Sequence, residues 1–186
     1  MQIAGHKQIM AAFVRLTLIT ISILFITSAI STAVDYRTKE VDTRPAEQLE
    51  ARQIEKQLSC LAKNIYWEAA GEPFEGKVAV AQVTMNRLAS GKFADSVCNV
   101  VYQKTTVYSK VICQFSWLCE NNYQTKTVHK EVYRESEEVA KMVMLEGFRL
   151  PAIKEALYYH ADYVNPHWKK ERIAKIGRHI FYRDQT

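Results

Sequence analysis

The rhythm of hydrophobic positions changes several times along this chain. From Leu16 to Val34 nineteen residues carry no charge, and as a helix at ~1.5 Å per residue they would span ~28 Å, close to the ~30 Å hydrocarbon core of a bilayer. Residues 35–53 are charged, contain Pro45 and lack a sustained apolar stripe, the pattern of a linker. Ile54, Leu58, Leu61 and Ile65 then recur at intervals of four, three and four, which predicts an amphipathic helix that Gly71 and Pro73 end. A second helix should open near Glu75 or Gly76. Its apolar residues, Val78, Val80, Ala81, Val83, Met85 and Leu88, lie all round it, so it is expected to be buried and central until Gly91 breaks it. A third helix is predicted from about Val128 to Glu146, with Val132, Val139, Val143 and Met144 inward, stopping at Gly147 and Pro151. The stretch 92–125 between them reads as irregular. The aromatic and β-branched runs ALYYHA and HIFYR have strand character. The pattern predicts an α+β protein: a mainly helical domain over 54–186 with a small late β element, preceded by an N-terminal transmembrane or signal helix in residues 1–34.

Flanking charge gives the first segment a direction. His6, Lys7 and Arg15 precede it and Asp35, Arg37, Lys39, Glu40 and Asp42 follow, which favours a cytoplasmic N-terminus and an exported remainder. Ser31 and Ala33 form a small-x-small cleavage pattern before Val34. The apolar run is longer than a usual signal-peptide core, and Thr17, Thr20, Ser22, Thr27, Ser28, Ser31 and Thr32 dilute it. Cleaved signal peptide and retained anchor both remain open. The weak span resembles the signal-anchor-release segments of some phage endolysins. Export makes pairing the default for Cys60, Cys98, Cys113 and Cys119. The short stretch from Cys113 to Cys119 suits a local bridge that would leave Cys60 with Cys98, one of the three connectivities four cysteines allow. No CxxC or HExxH spacing suggests zinc. A net charge of +5 fits an anionic polymer or surface without choosing among nucleic acid, acidic lipid and cell wall.

One acidic residue stands out. Taking Leu61 as zero on a helical wheel, Ile65 falls at about 40°, Leu58 at about 60° and Glu68 at about −20°. Glu68 therefore projects from the apolar stripe. It is either a helix-end carboxylate that bends to water or finds a cation, or an acid whose pKa apolar neighbours raise, with Tyr66 and Trp67 as walls.

The run Cys60-Leu-Ala-Lys-Asn-Ile-Tyr-Trp-Glu68-Ala-Ala-Gly-Glu72-Pro-Phe-Glu-Gly-Lys-Val-Ala-Val-Ala-Gln-Val-Thr-Met-Asn86-Arg87 resembles the opening of the SleB-type cell-wall hydrolases, named for spore-cortex-lytic enzymes. The resemblance continues at Val97-Cys98-Asn-Val-Val-Tyr102-Gln103, Cys113-Gln114-Phe115-Ser116-Trp117 and Ala156-Leu-Tyr-Tyr159-His160-Ala. It ends with Asn165-Pro166-His-Trp168 and Ile176-Gly177-Arg-His179-Ile-Phe181-Tyr182. It implies a lysozyme-like fold and cleavage of the β-1,4 bond between N-acetylmuramic acid and N-acetylglucosamine, with Glu68 as catalytic acid and no cofactor or metal. A single candidate acid without an Asp partner favours a lytic transglycosylase, giving 1,6-anhydro products, over a hydrolytic muramidase. Glu72 is expected to orient substrate or the loop beside it. Gln114, Ser116 and Trp117 offer an amide, a hydroxyl and an indole that suit a sugar; Tyr159 and His160 match family cleft residues. Arg87 is expected either to pair with a carboxylate, to cap carbonyls or to lie at the surface. Ala70 stands where many relatives carry Arg, and no peptidoglycan-binding repeat precedes the domain. Targeting is then left to the cleft, the basic tail (Lys169, Lys170, Arg172, Lys175, Arg178) or the membrane, and vegetative or host peptidoglycan is the expected substrate. The expectation is a monomer on the periplasmic side of the inner membrane, anchored through residues 16–34 or released. A catalytically idle wall-binding scaffold of the same fold is the alternative; a nucleic-acid partner rests on charge alone, and the N-terminal segment opposes it.

Overall fold

The computed structural model describes residues 3–120 and 122–185. Two compact units divide the chain, Met1–Ala51 and Arg52–Thr186, and helix α1, Ile3–Ala69, contributes to both. In the first unit, Phe13–Lys39 is long and apolar enough to cross a membrane. Its hydroxyls turn back on the helix: Thr17, Thr20 and Thr27 donate to carbonyls three residues earlier, and Ser22 to one four earlier. Back-bonded hydroxyls cost far less to bury in an apolar medium than free ones. Residues 35–53, expected as a linker, are helical. Their Glu, Arg, Gln and Ala content has high helix propensity, and Asp35 pairs with Lys39 one turn on, at 2.9 Å. The side chains of His6, Lys7, Glu40, Asp42 and Pro45, on which the orientation and linker readings lean, lie outside those described.

In the second unit the end of α1 packs on helix α2, Phe74–Ser90, which Gly91 closes in the left-handed conformation (φ 65°) that glycine adopts without strain. Helix α2 is buried along most of its length, as its all-round apolar pattern requires, and Lys77 on it is held by Glu135 at 2.6 Å. Helix α4, Lys130–Met144, turns Ser136, Val139, Ala140 and Val143 inward. Leu61, Ile65, Val78, Ala81, Val139 and Val143 form the main core; a second cluster seats Ala79 and Val83 of α2 against Ile153, Ala156 and Phe181.

The stretch expected to be irregular is largely ordered. It holds a short helix α3, Val97–Val101, an antiparallel hairpin of strands β1, Lys104–Val107, and β2, Lys110–Cys113, and a 3-10 turn at Ser116–Cys119. The late β element is a three-stranded antiparallel sheet of β3, Tyr158–Ala161, β4, Glu171–Ile176, and β5, His179–Arg183, in the order β3-β5-β4. The basic tail is thus in part a strand, and two of its five cations are paired: Lys170 with Asp184 at 2.6 Å and Lys175 with Asp162 at 2.8 Å. Disulfides join Cys60 to Cys98 and Cys113 to Cys119. The first ties α1 to α3, the second the end of β2 to the following turn.

Candidate active site

A cleft of about 610 Å³ opens between the end of α1, the hairpin β1–β2, the Cys113–Cys119 segment and the sheet. Glu68 projects into it from the last turn of α1. The apolar stripe that carries Leu61 and Ile65 into the core also carries Glu68 inward, where it stands half-buried in the wall of the cleft. That burial pushes the carboxyl's pKa above its ordinary value, and the nearby negative Glu120 adds to the rise. A hydrogen bond from Tyr159 and the charge of Arg87 oppose it without cancelling it. Tyr159 Oη donates to Glu68 Oε2 at 2.9 Å. Burial, then the negative Glu68, drives the Tyr159 phenol well above its usual pKa, so it keeps its proton and remains the donor. With Oε2 so engaged, Oε1 is the oxygen free to carry a transferable proton.

Arg87, at the last turn of α2, is buried, and this settles its role against the surface. Its Nε donates to Leu157 O at 2.8 Å, and its guanidinium lies over the rings of Phe93 and Phe115 at 5.2 and 4.9 Å. Burial lowers its pKa and the neighbouring Tyr159 and Glu68 raise it; an arginine so placed stays charged. Gln114, with its amide oxygen turned to Arg87, accepts from both terminal nitrogens at 3.2 and 3.1 Å. Glu68 with Tyr159 and Arg87 with Gln114 are thus two bonded pairs in the wall of the cleft, coupled through the charge of Arg87.

The remaining expected residues divide. Ser116 is exposed at the rim and His160 lines the sheet side. The hydroxyl of Tyr182 and the carbonyl of Ala161 engage the two ring nitrogens of His160, at 2.9 and 2.8 Å. A carbonyl can only accept, so Nδ1 carries the proton and Nε2 accepts from Tyr182 in the neutral ring. Trp117 reaches the cleft as a ring only: it is buried, and its indole N–H donates to Asn64 Oδ1 at 2.9 Å. Asn64, fully buried, also bonds Thr84 at 3.3 Å. Trp67 stacks on Trp117 with centroids 6.4 Å apart and presents the accessible aromatic wall. Glu72 lies outside this cleft. Its Oε2 accepts from the backbone N–H of Arg178 at 2.8 Å, so it ties the start of α2 to the β4–β5 turn.

Three further residues line the cleft, of which Trp168 and His179 fall in the family-like blocks and Glu120 carried no signal in the sequence. Glu120 brings a second carboxylate to the cleft, paired with Lys126 at 2.6 Å; nothing in its surroundings along the chain marks it. Trp168, on the loop before β4, meets His160 edge-on at 5.5 Å and Tyr158 at 6.1 Å, and with them makes an aromatic bank along the sheet side. His179 is buried against Tyr159, and burial holds its pKa below the ordinary value. Among the described residues no group of three or more His, Cys, Asp or Glu side chains is set to hold a metal ion.

Comparison with known proteins matches these features to one family. A family model described as Cell Wall Hydrolase matches residues 71–182, beginning just after Glu68. A spore cortex-lytic enzyme of Bacillus subtilis is 32% identical over 132 residues, which cover 67% of this chain and 36% of that protein. One from Halalkalibacterium halodurans is 27% identical over 153 residues, 80% of this chain and 41% of that protein. The chain thus spans well under half the length of these relatives. Among solved structures, the catalytic domain of the Bacillus cereus SleB protein superposes with a TM-score of 0.50 and 26% identity, covering 69% of this chain and 91% of that one. The catalytic domain of the germination-specific lytic transglycosylase SleB from Bacillus anthracis gives the same score and identity over 68% and 93%. The match over most of the second unit, in sequence and in fold, means that this chain belongs to the cell wall hydrolase family.

Proposed function

We propose that this protein cleaves the glycan strands of peptidoglycan at the β-1,4 bond between N-acetylmuramic acid and N-acetylglucosamine, as a lytic transglycosylase with a lysozyme-like fold. The observation that carries the reading is Glu68: a carboxyl enclosed in the wall of a strand-sized cleft, its pKa raised by burial, with one oxygen held by Tyr159. Such an acid keeps a proton toward neutral pH and can donate it to the bridging glycosidic oxygen. As that bond breaks, Glu68 becomes a carboxylate, which Tyr159 and Arg87 stabilise. It then takes the proton from the 6-hydroxyl of the muramic acid as that oxygen closes on C1. The proton returns to Glu68, a 1,6-anhydro ring forms and no water is consumed. Trp67 and the Trp168 bank supply aromatic faces for sugar rings. The Bacillus anthracis relative is called a lytic transglycosylase, which supports the same course here.

A second reading rests on Glu120. Hydrolysis by inversion or retention uses two carboxylates, and Glu120 shares the cleft with Glu68. The product separates the two. The full chain in mild detergent is incubated with purified sacculi and soluble fragments are weighed by mass spectrometry. Anhydro fragments, one water lighter than hydrolysis products, are expected, with the rate reduced roughly 10²–10⁴-fold by Glu68→Gln. Full-mass reducing ends that vanish with Glu120→Gln would establish the muramidase instead. Binding without release of fragments would leave a wall-binding scaffold.

Phe13–Lys39 supports a membrane anchor that places Arg52–Thr186 on the periplasmic side. Paired cysteines fit an exported protein.

A further inference from the structure

The hairpin β1–β2 is unusually bare. Val107, Val111 and Ile112 are 40%, 58% and 53% exposed, and Tyr108 at its tip is 97% exposed. The two tip residues, Tyr108 and Ser109, both take positive φ, 46° and 63°. This is the turn geometry for which Asn-Gly is the ordinary choice, and a Tyr-Ser pair holds it at a cost of about 1 kcal/mol or more per residue. A strained turn that displays an aromatic ring to water calls for a partner.

The register identifies the side the partner takes. Thr105 pairs with Ile112 and Val107 with Lys110, and residues opposite or two apart share a face. Thr105 and Ile112 line the cleft, together with Cys113 at the base of the hairpin where β2 enters the disulfide-closed segment. Val107 and Lys110 continue the face of Thr105 and Ile112 outward, beyond the rim of the cleft. The opposite face carries Lys104, Thr106, Val111 and Cys113. At the base, the Gln114 N–H donates to Gln103 O at 2.9 Å and the Cys113–Cys119 bridge pins β2 beside the cleft. The hairpin is fixed at one end and presented at the other. Neither Lys104 nor Lys110 is in an ion pair among the described residues, unlike Lys92, Lys126, Lys170 and Lys175.

We infer that this hairpin reads the acidic peptide stem of the glycan strand, with Lys110 pairing a stem carboxylate while Thr105, Val107 and Ile112 pack along the chain. The inference rests on the glycan-cleaving reading of the cleft. A strand lying against Glu68 projects its stems from the muramic acid, and a stem leaving the cleft on the hairpin side meets an apolar face and an uncommitted cation. Stem recognition of this kind is electrostatic and weak per contact, so it adjusts preference among strands rather than creating affinity alone.

The test uses the full chain in mild detergent with two substrates: glycan strands bearing stems, and the same strands stripped of stems by an amidase. The wild-type ratio of kcat/KM, stem-bearing over stripped, should exceed one. With Lys110→Glu it should fall roughly fivefold, and less at high salt. A double replacement at the tip, Tyr108→Asn with Ser109→Gly, relaxes the turn and keeps the fold while removing the ring; it should lower the ratio without lowering Tm. An unchanged ratio in Lys110→Glu would overturn the inference. Cosedimentation of Glu68→Gln protein with both strands is read alongside. Stem-dependent binding that Lys110→Glu abolishes, in a wild-type protein that releases no fragments, would uphold the hairpin and sink the cleavage reading. Equal binding to both strands by an active enzyme would do the reverse.

Discussion

At the scale of single residues, the carboxyl of Glu68 is held in the fold at a cost. Between the unfolded value near 4.5 and its raised value in the fold, the native state holds a proton that the unfolded chain has released. Stability therefore falls as pH rises through that window and stays reduced above it. An amide in place of the acid removes the penalty but cannot donate a proton. Glu68→Gln should thus raise Tm at pH 7 and leave it almost unchanged at pH 4, where both side chains are neutral. Thermal scans at the two pH values decide the matter. A constant offset, or a loss at pH 7, would mean that Arg87 needs the carboxylate more than burial resists it. Placement of Glu68 on the apolar stripe was legible from its angle to Leu61 and Ile65. The groups that tune it were not: Tyr159 and Arg87 reach it from other elements, and Glu120 carries no local mark.

Elements were legible in proportion to how much their own pattern decided them. Helices α2 and α4 begin and end within a few residues of where periodicity, Gly91 and Gly147 put them. The hairpin β1–β2 escaped notice because β1 is exposed throughout and β2 nearly so, leaving no alternation to read, and because Tyr108-Ser109 is no turn signal. Strand β4 read as a basic tail because the partners of its charges, Asp162 and Arg183, lie elsewhere in the sequence. The β4–β5 turn shows the same dependence on a distant residue. Gly177 takes φ +56°, and a Cβ there would come within 2.0 Å of Glu72 Oε2. Gly177→Ala should therefore cost about 2–3 kcal/mol, from left-handed strain together with loss of the Glu72 bond to the Arg178 amide. In a Glu72→Ala background the clash is gone and the bond already lost, so the same change should cost only about 1 kcal/mol. Denaturant unfolding of the two singles and the double measures the coupling. Additive costs would show that Glu72 does not brace this turn.

At the scale of the whole molecule, the cleft is assembled from segments that no periodicity relates: the end of α1, the Cys113–Cys119 segment and the strands after Ala156. Only the family resemblance of the separate blocks drew them together in advance. Their physical linkage is in part covalent. The Cys60–Cys98 and Cys113–Cys119 bridges close sequence separations of 38 and 6, worth ~4 and ~2 kcal/mol by chain entropy. Their sum is comparable with the roughly 5–15 kcal/mol that holds an ordinary domain together. Reduction of the full chain in mild detergent should then lower Tm by on the order of 15–20 °C. Replacing Cys60 and Cys98 by Ser should reproduce most of that loss. Replacing Cys113 and Cys119 should cost less stability and proportionately more activity, because that bridge holds β2, Gln114 and Ser116 beside the cleft. Calorimetry of the oxidised, reduced and two Ser-paired proteins, with glycan cleavage assayed well below each Tm, separates the two roles. A reduced protein that melts within a few degrees of the oxidised one would mean that packing of α1, α2 and α4 suffices and that the bridges do not set its stability.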